Sequence, residues 1–80
     1  MAVEDARMTR QVMHEISRRY IDSSRLDIRV IHGVCYLRGI IAPLRTHPDI
    51  NLDHEGEVIK KIIHRHHGIK SVVWDVRMSV

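Results

Sequence analysis

Seven histidines are the first residues to question for chemistry, and three of them, His64, His66 and His67, crowd into the stretch HRHHG. An i, i+3 pair such as His64 and His67 can share one face of a helix. A metal site needs further ligands, and no carboxylate or thiol stands at a recognisable ligand spacing beside them, so none is expected. His47 and His54 could join only if the segment that carries them folded toward the end of that helix. Cys35 is the single cysteine, which rules out a disulfide framework within the chain. Its expected inward place on a strand makes it a small core residue and not a reactive thiol. Asp and Glu fall mainly at helix starts and on an outward strand face, and the chain has neither a glycine-rich phosphate loop nor a nucleophile elbow. No enzyme activity and no cofactor are expected.

Cations offer a different chemistry. Thirteen Lys and Arg against ten Asp and Glu give a net charge of +3 with histidines neutral, a modest excess that favours anionic partners. Mild acid would raise it through the histidines. Lys60, Lys61, Arg65 and Lys70, with His64 and His67, form the candidate lipid or anion surface. Each basic residue near an anionic membrane contributes on the order of 1 kcal/mol. The plainer reading of the same residues is a solvated helix face whose cations suit the negative end of the helix dipole.

The element that must organise these residues is Leu26 to Ile41, LDIRVIHGVCYLRGII, which reads as two strands folded back on each other around His32-Gly33. That turn sets Ile31 against Val34, Val30 against Cys35, Ile28 against Leu37 and Leu26 against Gly39. It also sets Arg29 against Tyr36 and Asp27 against Arg38 on the opposite face. One register therefore makes a dry surface and pairs opposite charges, and two patterns agree. Gly33 serves the turn, and Gly39, on the inner surface, is expected to let a helix come close to the sheet.

Around the hairpin, Met8, Val12, Ile16 and Tyr20, with Met13 widening the stripe, predict an amphipathic helix from about Glu4 to Tyr20. Glu4 and Asp5 suit its positive end, Arg18 and Arg19 its negative end, and Glu15 is expected to reach Arg19. Asp22-Ser23-Ser24 supplies turn chemistry before the first strand. After the hairpin, residues 42–54 carry both prolines and no period, so a long exposed loop is expected there. A second helix is predicted to start between Asp53 and Glu57, with Asp53 as a cap and Glu55 and Glu57 at the dipole. Val58, Ile59, Ile62 and Ile63 would fall on one face of it, and it would run to His67, with Gly68 as its stop. Ser71 to Val80 alternates as a third strand, with Val72, Trp74, Val76, Met78 and Val80 inward.

The order is αββαβ in one domain, residues 1–80. Two striped helices can cover one face of so small a sheet, which predicts an α+β two-layer sandwich: a three-stranded sheet with both helices on one side. The other face would stay open. Arg29, Ile31, Val34, Tyr36, Arg38, Val73 and Arg77 are its interface candidates, and Ile40 and Asp75 share it. This face is more apolar than a merely solvated surface needs to be.

With those elements placed, the chain resembles the BON domain, the bacterial OsmY and nodulation module. The matching stretches are IRVIHGVCYLRGII, with Gly33, Leu37 and Gly39, and VIKKIIHRHHGIKSVVWDVRMSV, with Gly68, Val72 and Val76. Together they leave out mainly the 42–54 loop. The resemblance implies a non-enzymatic module associated with membranes, often proposed to bind phospholipid, in exported or channel-associated proteins. Three departures are visible: no export signal, a single copy, and a longer central loop. As written, the chain lacks a basic, apolar leader and any run near the ~20 residues of a membrane span. A cytoplasmic location is therefore expected, or a periplasmic one if the chain is a fragment of an exported protein.

The expected function is binding: association with a protein partner or as a homo-oligomer, or peripheral contact with an anionic phospholipid surface. The alternative is a small RNA-binding protein that uses Tyr36 among Arg29, Arg38 and Arg77 on the open sheet. One aromatic is thin for that role, and nucleic acid ranks behind protein.

Overall fold

The computed structural model describes residues 3–79, with side-chain surroundings from residue 5 onward. The inward Val80 and the side chain of Glu4 at the helix start lie outside the described residues. Five elements follow in the order α1 (Val3–Ser17), β1 (Ile21–Ile31), β2 (Val34–Pro43), α2 (Leu52–His64) and β3 (Ser71–Met78). Their sheet is mixed, in the order β1-β2-β3, with β1 and β2 antiparallel and β2 and β3 parallel.

The hairpin has the register that the alternation demands, from Ile31 opposite Val34 to Leu26 opposite Gly39. His32 at φ 49 and Gly33 at φ 81 both sit in the left-handed region, the geometry of a two-residue turn whose twist matches the strands. Lys70 N–H donates to the Gly33 carbonyl at 2.7 Å, which ties the turn to the entry of β3.

Asp22-Ser23-Ser24 is not a turn before the strand. β1 runs through it, and the local hydrogen bonding appears as a bulge between Asp22 and Arg25. The Ser24 hydroxyl and then its backbone N–H donate to Asp22 Oδ1, at 2.6 and 3.0 Å, and hold the Asp22 carboxyl below its ordinary range. One extra residue in β1 flips the side-chain parity. Ile21 and Leu26, an odd and an even position, therefore face the same core side.

α1 ends at Ser17, short of the expected Tyr20, because Arg18 and Arg19 N–H groups fall back on the carbonyls of Glu15 and Ile16 and tighten the last turn. Tyr20 leaves the stripe and stacks its ring 4.5 Å from that of His47. Met13 does not widen the apolar stripe; it is exposed. The expected 42–54 loop is shorter: Ala42 and Pro43 belong to β2, and α2 begins at Leu52. Its cap is Asn51 and not Asp53, since the Asn51 side chain accepts from His54 N–H at 3.1 Å. α2 stops at His64, and Gly68 falls in the turn beyond it.

Both helices lie on one side of the sheet, α1 against β1 and α2 against β3. Between the layers Val12 and Ile16 of α1 and Ile59 and Ile63 of α2 meet Ile28, Val30, Cys35, Leu37 and Ile41, all buried. Burying each such aliphatic side chain contributes about 1.5 to 3 kcal/mol. α1 also binds the hairpin end of β1 along its outer edge: Val30 N–H donates to Thr9 Oγ1 at 3.0 Å and His32 N–H to Asp5 Oδ2 at 3.4 Å. Among the described residues the outer edge of β3 pairs with no other strand.

Gly39 does not serve a helix. Its φ is 121, and a Cβ there would collide with the carbonyl oxygen of Arg25 in the neighbouring strand, beside the bulge. The glycine that brings a helix close is Gly56 in α2, where an added Cβ would stand 3.3 Å from the Trp74 ring and from the Met78 methyl.

Candidate interaction surface

The strand register arranges the open face in four rows that run across all three strands. Ile31, Val34 and Ser71 form the row at the hairpin end, and Arg29, Tyr36 and Val73 form the next. Asp27, Arg38 and Asp75 follow, and then Arg25, Ile40 and Arg77. All of the interface candidates read from the sequence, Arg29, Ile31, Val34, Tyr36, Arg38, Val73 and Arg77, stand on this face.

Apolar groups stand exposed where a merely solvated face would carry polar ones. Ile31, Tyr36 and Val73 keep 39%, 40% and 45% of their surface in water. The charged part is ordered by sign: Arg38 of the central strand lies between Asp27 and Asp75, and the row beyond it puts Arg25 and Arg77 at the flanks. Arg29 Nε comes within 3.5 Å of Asp27 Oδ2, but both side chains are largely exposed, and such pairs contribute less than about 1 kcal/mol. A shallow depression of about 480 Å³ runs over the charged rows, and a second of about 290 Å³ lies between Tyr36, Arg29 and Ile31. The face can therefore offer both desolvation and charge selection.

The four cations expected to meet an anion have different surroundings. Lys60 is half-buried, its ammonium 4.8 Å over the Trp74 ring and 3.4 Å from Glu57 Oε1, so it already has partners in its own chain. Lys61 is exposed on the outer face of α2. Arg65, which follows that helix, lines a groove with Glu15, Arg18, Arg19 and Ile62. Lys70 stands apart at the start of β3, its stem beside the hairpin turn.

A basic feature that the sequence reading passed over lies on α1. Arg7, Arg10 and His14 are exposed along its outer side at i, i+3, i+7 spacing, and exposed Arg18 follows just past its end. The same 3.6-residue period that marks the apolar stripe carries this signal when read from the polar side. Arg7, Arg10 and His14 border a groove of about 470 Å³ with Gln11, Glu15 and His66.

Neither Glu15 nor Arg19 does what helical spacing suggests. Glu15 Oε2 is 2.9 Å from His66 Nε2, a link between α1 and the turn after α2. Arg19 instead donates through Nε and Nη2 to the two oxygens of Glu55, at 2.9 and 2.8 Å. Glu55, in the first turn of α2 as expected, is buried, and this two-pronged pair raises the Arg19 pKa. Among the described residues no group of three or more His, Cys, Asp or Glu is placed to hold a metal ion. His64 and His67 are exposed, and His47 hydrogen-bonds Thr46 at 2.9 Å. Burial pushes the Cys35 thiol up to about 11, so at neutral pH it is protonated and enclosed.

Compared with protein-family models, with curated proteins and with solved structures, the chain finds no match in any of the three. No helix among the described residues is long and apolar enough to cross a membrane.

Proposed function

We propose that this chain is a non-enzymatic interaction module of BON type, and that it works by presenting its open sheet face to a protein. The observation that carries this reading is the row order of that face. Exposed Ile31, Tyr36 and Val73 adjoin arginines and aspartates in fixed alternation. A surface kept only for water gains nothing from the first set, and a surface kept for a protein uses both. The BON part rests on the αββαβ order and on the glycines at the hairpin turn and beside the bulge, Gly33 and Gly39.

The same rows count against RNA. Asp27 and Asp75 flank Arg38 on both sides in the middle of the face, where a phosphate backbone would have to pass, and Tyr36 is the one aromatic there. A second reading, peripheral contact with anionic phospholipid, is supported by the α1 stripe of Arg7, Arg10 and His14, with Arg18 just past its end, on the opposite layer. Such contact would be salt-sensitive.

A photo-crosslinking side chain placed at Val73, with Lys61 as the control position, tests the main reading in cells that express the chain. Protein adducts are expected from position 73 and not from 61, and they should vanish with Arg38→Glu; no adduct from either position overturns the reading. Co-sedimentation with vesicles containing acidic lipid tests the second. Arg7→Glu with Arg10→Glu should abolish it, and binding that survives this change removes the α1 stripe from consideration.

A further inference from the structure

Resting on the reading of the open sheet as an interaction face, we infer that its occupant is a second copy of this chain. The two sheets pack face to face about a two-fold axis that crosses the strands between the Tyr36 row and the Arg38 row.

The argument is charge complementarity under symmetry. An isologous contact sets the same patch against itself, so any two-fold operator pairs rows or strands in a fixed way. An axis along β2 lays each row on itself with β1 over β3. It would set Asp27 on Asp75 and Arg38 on Arg38, like on like, throughout the third row. An axis across the strands keeps β1 over β1, β2 over β2 and β3 over β3, reverses the strand direction, and exchanges rows. Placed at the middle of the four rows, it sets Arg29 on Asp27 of the second copy, Tyr36 beneath Arg38, and Val73 on Asp75 along the outermost strand. In the outer rows Val34 meets Ile40, and Arg25 and Arg77 meet Ile31 and Ser71. No like charges face each other directly.

Shifting that axis one row toward Arg25 also matches charges, Arg25 on Asp27 and Arg77 on Asp75. It leaves Ile31, Val34 and the Tyr36 row uncovered, however, and those are the groups that gain from burial. The central register covers all four rows, pairs Arg29 with Asp27 and sets no like charges against each other. Its strand directions also suit the aligned packing of two twisted sheets, which cross at roughly 30°. With strands about 4.8 Å apart and about 6.8 Å per pair of residues, the face measures roughly 14 by 27 Å. That is smaller than the ~800 Å² each partner contributes to a standard interface once side-chain relief is added, so the dimer should be weak, with a dissociation constant in the micromolar range.

Sedimentation equilibrium of the purified full chain from about 10 μM to about 1 mM measures the association. A monomer–dimer equilibrium is expected, and a monomer throughout overturns the inference. Asp27→Arg alone and Arg29→Asp alone should each raise the dissociation constant at least ~10-fold, because each sets like charges across the axis. Mixed in equal amounts, the two variants should associate to within ~3-fold of the parent. In the mixed dimer the introduced arginine of one chain faces the introduced aspartate of the other, and the unaltered Arg29 faces the unaltered Asp27. Both substitutions are on exposed side chains, so rescue on mixing also shows that each variant is folded. A dimer indifferent to either reversal, or a mixture that fails to recover, overturns the proposed register.

The photo-crosslinker at Val73 separates this inference from the reading beneath it. Adducts of twice the chain mass support the second copy. Adducts of another mass from a chain that is monomeric in isolation overturn the second copy and leave the interaction face standing. No adduct at all removes both.

Discussion

Cys35 shows how one buried atom becomes a measurable property. It faces the core from the central strand, and because the folded state holds its proton more tightly than the unfolded chain does, its contribution to stability is complete below the ordinary value of 9.0. That contribution is lost as pH climbs toward about 11. Chemical denaturation of the parent and of Cys35→Ala should therefore run in parallel at neutral pH and converge between about 9 and about 11, where only the parent loses this stabilisation. A thiol reagent at neutral pH should label the parent only as fast as it unfolds. Rapid labelling of the native protein would show that the strand does not shield it. Strand alternation alone places Cys35 inward. Gly39 and Gly56 were not legible in the same way, because a glycine's role depends on which atoms approach it, and sequence separation hides both the Arg25 carbonyl and the Trp74 ring.

Between elements, the Arg19–Glu55 pair joins the chain after α1 to the first turn of α2. Glu55 keeps only 5% of its side chain in water and Arg19 31%, so the carboxylate depends on this partner far more than the guanidinium does. Arg19→Ala is expected to cost about 2 to 4 kcal/mol by stranding a buried carboxylate, while Glu55→Ala should cost less, about 1 to 3 kcal/mol, since Arg19 can reach water. The double variant should be less damaging than the sum of the two, by about 1 kcal/mol or more. Additive losses in a denaturant titration would mean that the two groups do not act as a pair. Helical spacing suggested Glu15 for Arg19 because i, i+4 neighbours are the only contacts a linear pattern can count. The partner actually used is 36 residues away and is set by how the two helices lie on the sheet.

For the molecule as a whole, one core shared by both helices and all three strands implies one cooperative unit. Trp74 fluorescence, which reports the α2 and β3 half, and far-ultraviolet circular dichroism, which reports the backbone throughout, should give the same denaturation midpoint. A Trp74 transition at lower denaturant would mean that this half opens by itself. The sequence by itself determined the αββαβ order, the hairpin and its register, and which side of the strands is dry from Leu26 onward. Those follow from periods of 2 and 3.6 residues and from the positive φ that a two-residue turn requires. Only the tertiary structure decided that β3 runs parallel beside β2, that a bulge switches the parity of β1, and that α1 bonds to the hairpin end of that strand. The same packing placed Asp75 across Arg38 and so completed the charge pattern of the open face. These are relations between segments far apart in the chain, fixed by the shared burial of side chains that no local pattern brings together.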